Sequence, residues 1–137
     1  MIALEGGCLC GAIRYTADRA PLKSMICHCT SCRRSSGAPI VAWLTLPICD
    51  FTWSQGSPTI HRSSPKVDRT FCGTCGTCGT SLTYAHCDRP DEIDVTTATL
   101  DYPDVFPPVH HSWLEDGVRG LRFGDGLPAH LRTSAEK

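Results

Sequence analysis

The feature that most constrains this chain is a cluster of three cysteines within six residues, Cys27, Cys29 and Cys32, in the sequence C-H-C-T-S-C. In an extended backbone alternate side chains share a face, so Cys27 and Cys29 point one way and His28 the other. A helical bend after Cys29 returns Cys32 to the same point three residues later. Three converging sulfurs suit a tetrahedral zinc ion that keeps one position for water or substrate, so we predict a catalytic zinc site here.

The ten cysteines of this 137-residue chain are spaced for metal binding rather than for disulfides. They occur as C-x-C, C-x-C-x-x-C and C-x-x-C-x-x-C. A disulfide across C-x-C is strained, whereas the same spacing suits metal thiolates. The first seven residues contain no basic and apolar signal segment, so we expect a cytoplasmic location, where disulfides are rare.

A second zinc site is predicted from cysteines in two distant segments. Cys8 and Cys10 share one face of an extended segment, and F-C-G-T-C-G-T-C-G-T supplies Cys72, Cys75 and Cys78, each followed by Gly as in zinc knuckles. A closed site takes two ligands from each segment, so either Cys72 with Cys75 or Cys75 with Cys78 fits. Cys75 belongs to both registers. Because the two sets outnumber the four positions of one ion, we predict two zinc ions, one structural and one labile.

Four further side chains, His28, Arg33, Arg34 and His111, are candidate substrate-binding residues. His28 faces away from the adjacent cysteines, which favours a pocket or supporting role over coordination. His110 and His111 face opposite ways on a predicted strand, so at most one points into a given site. Arg33 and Arg34 either bind a substrate carboxylate or form a solvated helix face.

The pattern of apolar residues predicts a single, mainly β domain over residues 1–137, with its core at about 4–131. Residues 40–46 are apolar on both faces, which indicates a central strand. A helical turn at 30–36 should begin with Thr30 as its N-cap and end at Gly37. Further strands are predicted at 11–17, 22–26, 50–53, 59–61, 67–71, 82–85, 93–98, 109–113 and 120–123, and the Pro-rich residues 101–108 should be irregular.

Composition excludes two classes of partner. A net charge of −1 and a pI of about 6.6, with scattered basic residues, argue against a nucleic-acid-binding protein. No apolar segment is long enough to cross a bilayer, so we expect no membrane partner. Cys49 and Cys87 stand apart from the clusters and are typical of free thiols. The oligomeric state is not predicted.

Five motifs together resemble the glutathione-dependent formaldehyde-activating enzyme family, whose domain is shared with centromere protein V. They are G-G-C-L-C-G-A-I-R-Y, C-H-C-T-S-C-R-R-S-S-G-A-P, F-C-G-T-C-G, I-D-V-T-T-A-T-L-D and D-G-L-P. The resemblance implies an Mss4-like, zinc-stabilised β-sheet fold with short helical turns. It implies a structural zinc at Cys8, Cys10 and the knuckle, and a second zinc at Cys27, Cys29 and Cys32.

The same resemblance implies the condensation of formaldehyde with glutathione to S-hydroxymethylglutathione, a carbon–sulfur lyase in the reverse sense. The chain departs from the family pattern in an extra Cys-Gly-Thr unit at the knuckle and in Arg119-Gly120-Leu121, where the family often has a Trp. The sequence alone leaves two other classes open: a non-catalytic thiol carrier and a zinc-stabilised protein-binding scaffold.

Overall fold

The computed structural model describes residues 3–73 and 77–134, within which ten strands and one α-helix form. In chain order these are β1 (Leu4–Gly7), β2 (Arg14–Ala17), β3 (Lys23–Cys27), α1 (Thr30–Ser36), β4 (Val41–Pro47), β5 (Phe51–Gln55), β6 (Thr59–Ser64), β7 (Val67–Phe71), β8 (Ser81–His86), β9 (Glu92–Thr96) and β10 (His111–Ser112). Short 3₁₀ turns span Ile48–Asp50, Thr97–Thr99 and Leu114–Asp116. The prediction of a mainly β fold with short helical turns is confirmed.

The strands form two sheets. A three-stranded antiparallel sheet has the order β1-β2-β5, and a seven-stranded sheet has the order β10-β3-β4-β9-β8-β7-β6. Every pair of neighbouring strands in the large sheet is antiparallel except β10 with β3. The predicted strand at 67–71 matches β7, and most of the other strand predictions agree within a few residues.

Strand β4 separates two apolar clusters on opposite faces of the large sheet. Leu44 and Leu46 are fully buried in the main core, which they share with Tyr15 of the small sheet. Trp43 points the other way and packs with Cys27 and Cys32. Because side chains alternate along a strand, a segment that is apolar on both faces has to be buried on both. The prediction that this strand is central is confirmed, since it pairs with β3 and β9.

Aromatic packing fills the main core between the sheets. Tyr15 is fully buried, with its ring 5.5 Å from that of Phe51 and 6.1 Å from that of Trp53. Its hydroxyl bonds the Thr99 hydroxyl at 2.8 Å, which satisfies the polar end of a buried phenol. Burial raises the pKa of Tyr15 to about 12. The hydrogen bond to Thr99 and the core that Tyr15 shares with Leu44 and Leu46 therefore connect the small sheet to the large one without a metal.

Helix α1 matches the predicted turn, but its N-cap is Cys29 and not Thr30. Cys29 has extended backbone angles, and its sulfur accepts a hydrogen bond from the backbone N–H of Cys32 at 3.3 Å. Thiols are not usual caps, so the hydroxyl of Thr30 was the better candidate from the sequence. Gly37 ends the helix as predicted, with a left-handed φ of 69°.

Two further local predictions are wrong. Residues 120–123 form no strand, because Gly120 has a φ of 90° and the N–H of Leu121 bonds back to the carbonyl of Val118 in a turn. Cys8 and Cys10 do not lie on an extended segment, because the N–H of Gly11 bonds the carbonyl of Cys8 at 3.1 Å and closes a turn. Residues 101–108 are irregular, as predicted. None of the helices in the described ranges has the length and apolar character needed to cross a membrane.

Substitution of Leu44 tests the position of the main core. Leu44→Ala should reduce the free energy of unfolding by about 2–5 kcal/mol, because it removes a fully buried side chain. Ile60→Ala is the matched control, since Ile60 is 64% exposed on β6, and it should change stability by less than about 0.5 kcal/mol. Urea unfolding of metal-saturated protein measures both, and equal effects would contradict this core assignment.

Candidate metal centres and adjoining cavity

Four thiols converge at one end of the main core. The sulfur atoms of Cys8, Cys10, Cys72 and Cys78 all lie within 4.8 Å of one another. Cys8 and Cys72 are buried, Cys78 is half-buried and Cys10 is exposed. We call this set the four-thiol cluster.

Local backbone hydrogen bonds place the four-thiol cluster. The turn after β1 puts the Cys8 sulfur where it accepts the N–H of Ile13 at 3.3 Å. Cys72 directly follows β7, and its carbonyl accepts the N–H of Gly79 at 2.9 Å, which turns the chain back. The Thr80 hydroxyl lies 3.1 Å from the sulfur of Cys78. Hydrogen bonds from Thr80 lower the pKa of Cys78 to about 5 and favour its thiolate.

The spacing of these sulfurs fits a tetrahedral metal. Ligands about 2.3 Å from a zinc ion lie about 3.8 Å from one another in a regular tetrahedron. The sulfurs of Cys8 and Cys10 are 3.6 Å apart, and those of Cys10 and Cys72 are 3.7 Å apart. The four-thiol cluster thus has the ligand type, number and separation of a closed zinc site.

Cys72 and Cys78 are the two knuckle thiols that the described residues include, so neither predicted register is tested. Each of those registers uses Cys75, which lies outside the described residues. The described thiols reach four without it, through a five-residue spacer between Cys72 and Cys78. Sequence spacing favoured C-x-x-C because that is the usual knuckle, and it gave no signal for the longer spacer.

The second cluster lies across the large sheet from the main core. The sulfurs of Cys27, Cys29 and Cys32 lie within 4.8 Å of one another, with Cys27 and Cys32 buried and Cys29 half-buried. Cys27 ends β3, Cys29 caps α1 and Cys32 occupies the first turn of that helix. The extended segment followed by a helical turn brings the three thiols together as the sequence predicts. We call this set the three-thiol cluster.

The thiols of this cluster influence one another's ionisation. Hydrogen bonds from Cys27 and Cys32 lower the pKa of Cys29 to about 2, and the backbone N–H of Cys32 and the charge of Arg69 act in the same direction. The pKa of Cys27 is raised in turn, because its sulfur donates to its neighbours and is buried. One thiolate therefore forms readily, and a bound divalent cation is the natural means of ionising all three.

The three-thiol cluster lies in the wall of a cavity of about 640 Å³. Trp43, Tyr84, Trp113 and Met25 also line it, and the Trp43 and Tyr84 rings are 6.0 Å apart. This volume lies in the range, about 300–1,000 Å³, of pockets that bury a small organic molecule. Of three smaller cavities, one contacts the four-thiol cluster, at Cys78, and the other two do not contact its described thiols.

Arg69 is a cavity residue that the sequence analysis missed. It lies on β7 with only 8% of its surface exposed, and its two terminal nitrogens are 3.8 and 3.9 Å from the Cys32 sulfur. Its Nη1 also donates to the Ser35 hydroxyl at 3.2 Å. The alternation of β7 contains the signal, because Val67 and Arg69 occupy the same inward face of a well-predicted strand.

The four predicted substrate-binding residues are not in the described cavity wall. Nε2 of His28 lies 2.8 Å from Nδ1 of His111, and Nε2 of His111 lies 2.8 Å from Oδ2 of Asp125. These contacts connect His28, which lies between Cys27 and Cys29, to β10 and the loop that contains Asp125. Burial lowers the pKa of His28. Arg34 is exposed on α1, and Arg33 donates to Thr30 at 3.2 Å.

A third group, His86, Cys87 and Asp88, brings potential ligand atoms within 4.8 Å of one another at the surface. Asp88 bonds Lys66 at 2.9 Å, and Nδ1 of His86 accepts the N–H of Asp88 at 3.1 Å. These atoms therefore already have partners within the protein. Cys49 and Cys87 are exposed free thiols.

The fold and the two buried clusters place the chain among mainly β proteins with cysteine sites able to hold a metal. Residues 3–116 match the family described as glutathione-dependent formaldehyde-activating enzyme, and the chain belongs to that family. A Rhodobacter sphaeroides protein, whose crystal structure was a Northeast Structural Genomics target, shares the fold with a TM-score of 0.58. The similarity covers 92% of this chain and 98% of that chain at 21% identity. No curated protein matches the chain.

Single substitutions in the knuckle test which thiols form the four-thiol cluster. Cys72→Ser and Cys78→Ser should each unfold the protein or remove one metal ion per chain, because each breaks the described set. Cys49→Ser, an exposed free thiol outside the described clusters, is the matched control and should keep both the metal and the stability to within about 0.5 kcal/mol. Metal analysis and thermal unfolding measure this. Loss of metal in Cys75→Ser, with retention in Cys78→Ser, would restore the shorter register.

Proposed function

We propose that this protein is a zinc-dependent enzyme that joins a thiol such as glutathione to an aldehyde such as formaldehyde, a carbon–sulfur lyase in the reverse direction. The observation that carries the proposal is the position of the three-thiol cluster in the wall of the cavity. The family described as glutathione-dependent formaldehyde-activating enzyme supplies the substrate class.

The two clusters have different roles in this proposal. The four-thiol cluster has a full set of protein ligands and holds a structural zinc. The three-thiol cluster holds a labile zinc that retains one position for an exogenous ligand. When bound there, zinc supplies a Lewis acid that keeps a substrate thiol deprotonated at neutral pH. The chain therefore takes two zinc ions.

The proposed reaction needs few protein groups beyond the metal ligands. The thiolate sulfur attacks the aldehyde carbon, a carbon–sulfur bond forms, and the π electrons of the carbonyl move to oxygen. The proton lost by the thiol is matched by one gained at that oxygen, so the product is an S-hydroxymethyl thioether and no oxidant is required. The cavity wall would contribute by orienting thiol and aldehyde, which replaces a bimolecular encounter by a local one.

The charged groups of the substrate have several candidate partners in the chain. The roles predicted for His28, Arg33, Arg34 and His111 stay predictions. The cavity wall offers other charged groups at its rim, including Lys23, to an anionic thiol such as glutathione. A cytoplasmic location also belongs to this proposal, because the described cysteines are all free thiols and need a reducing compartment.

A rate measurement tests the proposed reaction. The metal-loaded protein should accelerate formation of the hemithioacetal from formaldehyde and glutathione. The rate is measured by NMR, as the exchange between free formaldehyde and formaldehyde bound in the hemithioacetal. Cys32→Ser should abolish the acceleration, because it removes one ligand of the three-thiol cluster, while the four-thiol cluster and the fold persist. Cys49→Ser, an exposed cysteine outside the described clusters, is the control.

The outcomes separate an enzyme from a thiol carrier. An unchanged exchange rate together with stoichiometric glutathione binding would favour a carrier. An unchanged exchange rate without glutathione binding would overturn the proposed function and leave a metal-stabilised scaffold. Metal analysis of the same samples should give two zinc ions in the wild type and one in Cys32→Ser.

A further inference from the structure

The described contacts of Arg69 give its charge no carboxylate partner. None of the ion pairs of the described residues includes it, and its Nε is buried without a hydrogen-bond partner. Arg69 and Arg89 both lie near the Tyr84 ring. Arg89, in contrast, donates to both Glu92 and Asp94. Burial of a guanidinium group is costly unless its charge is compensated. Because Arg69 has no described carboxylate partner, we expect another anion beside it.

The described neighbour of this charge that can become an anion is the Cys32 thiol. Both terminal nitrogens of Arg69 lie within 3.9 Å of the Cys32 sulfur, so the N–H edge of the guanidinium group meets one corner of the three-thiol cluster. The Arg69 guanidinium carbon lies 4.9 Å from the centre of the Tyr84 ring, and Ser35 accepts from Nη1. Contacts on three sides fix the cation in place before any ligand enters.

The net charge of a metal-bound three-thiol cluster explains why a cation lies beside it. Three thiolates and a divalent metal carry a net charge of −1, and a fourth, exogenous thiolate makes it −2. Removing such an anion from water is unfavourable unless a cation stands nearby. We propose that Arg69 is the positioning residue and counter-ion of the three-thiol cluster, which holds the Cys32 sulfur and favours an anionic fourth ligand over a neutral one.

The preference for an anionic ligand rests on the proposed function, whereas the effect on metal affinity does not. Arg69→Gln removes the charge and leaves a shorter side chain with some hydrogen-bonding capacity. Arg69→Lys keeps the charge without the fork and serves where the first variant fails to fold. Arg62→Gln is the matched control, since Arg62 is exposed on the neighbouring strand β6 and pairs with Asp68 at 2.9 Å.

The experiment uses full-length protein loaded with cobalt at both clusters. Competition with a chelator measures the cobalt affinity of each, and the four-thiol cluster is an internal reference for folding. The cobalt absorption bands then report titration with glutathione, which enters as a thiolate, and with imidazole, which enters as a neutral nitrogen donor. This comparison distinguishes a counter-ion from a merely structural residue, because lost structure weakens both ligands equally.

Arg69→Gln should lower cobalt affinity at the three-thiol cluster and leave the four-thiol cluster unchanged. It should weaken glutathione binding about tenfold, the scale of one charge-assisted contact, and imidazole binding much less. Arg69→Lys should lie between the wild type and Arg69→Gln, and Arg62→Gln should match the wild type.

Two results would overturn the inference. One is an unchanged cobalt affinity in Arg69→Gln together with unchanged binding of both ligands, and the other is an equal loss for glutathione and imidazole. If even the wild type binds no glutathione, the proposed function fails, but the cobalt affinities still decide whether Arg69 is the counter-ion. If Arg69→Gln loses metal from both clusters, Arg69→Lys decides. Cobalt retained at the three-thiol cluster, with an affinity at or below that of the wild type and an unchanged four-thiol cluster, supports charge compensation, and an equal loss at both clusters contradicts it.

Discussion

The structure depends on sulfur atoms from distant parts of the chain meeting at one point. Cys10 and Cys72 are 62 residues apart in sequence, yet their sulfurs lie 3.7 Å apart. Such close contact joins the small sheet, through the turn after β1, to the end of β7 in the large sheet. A zinc ion bound there would contribute on the order of 10 kcal/mol to folding, comparable to the whole stability of a domain this size. The main core that Tyr15 shares with Leu44 and Leu46 is a second connection between the sheets and needs no metal.

Most of the fold could be predicted because its signals are local. Residues 40–46 are apolar on both faces, which specifies a central strand, and Gly37 specifies the end of α1. The three-thiol cluster was also predictable, since all its residues lie within one extended segment and one helical turn. The pairing of Cys72 with Cys78 was not, because three equivalent Cys-Gly-Thr units leave several registers open. Arg69 was missed because its partner, Cys32, comes from a different strand–helix unit, and only the packing of β7 against α1 brings them together.

The two faces of the large sheet border different features. On one face, Leu44 and Leu46 complete the main core. On the other face, Trp43 and Tyr84 border a cavity, and the cysteines there number one fewer than a zinc ion requires. Arg69 contacts the three-thiol cluster, and none of the described carboxylates pairs with its guanidinium group. A site short of one ligand but supplied with a positive charge is suited to an anionic, sulfur-containing guest, which agrees with the glutathione-dependent family to which the chain belongs.

The central claim is that the two clusters differ in one respect, an open position at the three-thiol cluster. NMR of the cadmium-loaded protein tests it most directly, because each metal gives its own resonance and sulfur ligands move that resonance strongly. We expect two resonances, of which only that of the three-thiol cluster shifts on adding glutathione, toward the position of the four-sulfur site. Two resonances that already coincide in the four-sulfur region, and that do not move with saturating glutathione, would contradict it.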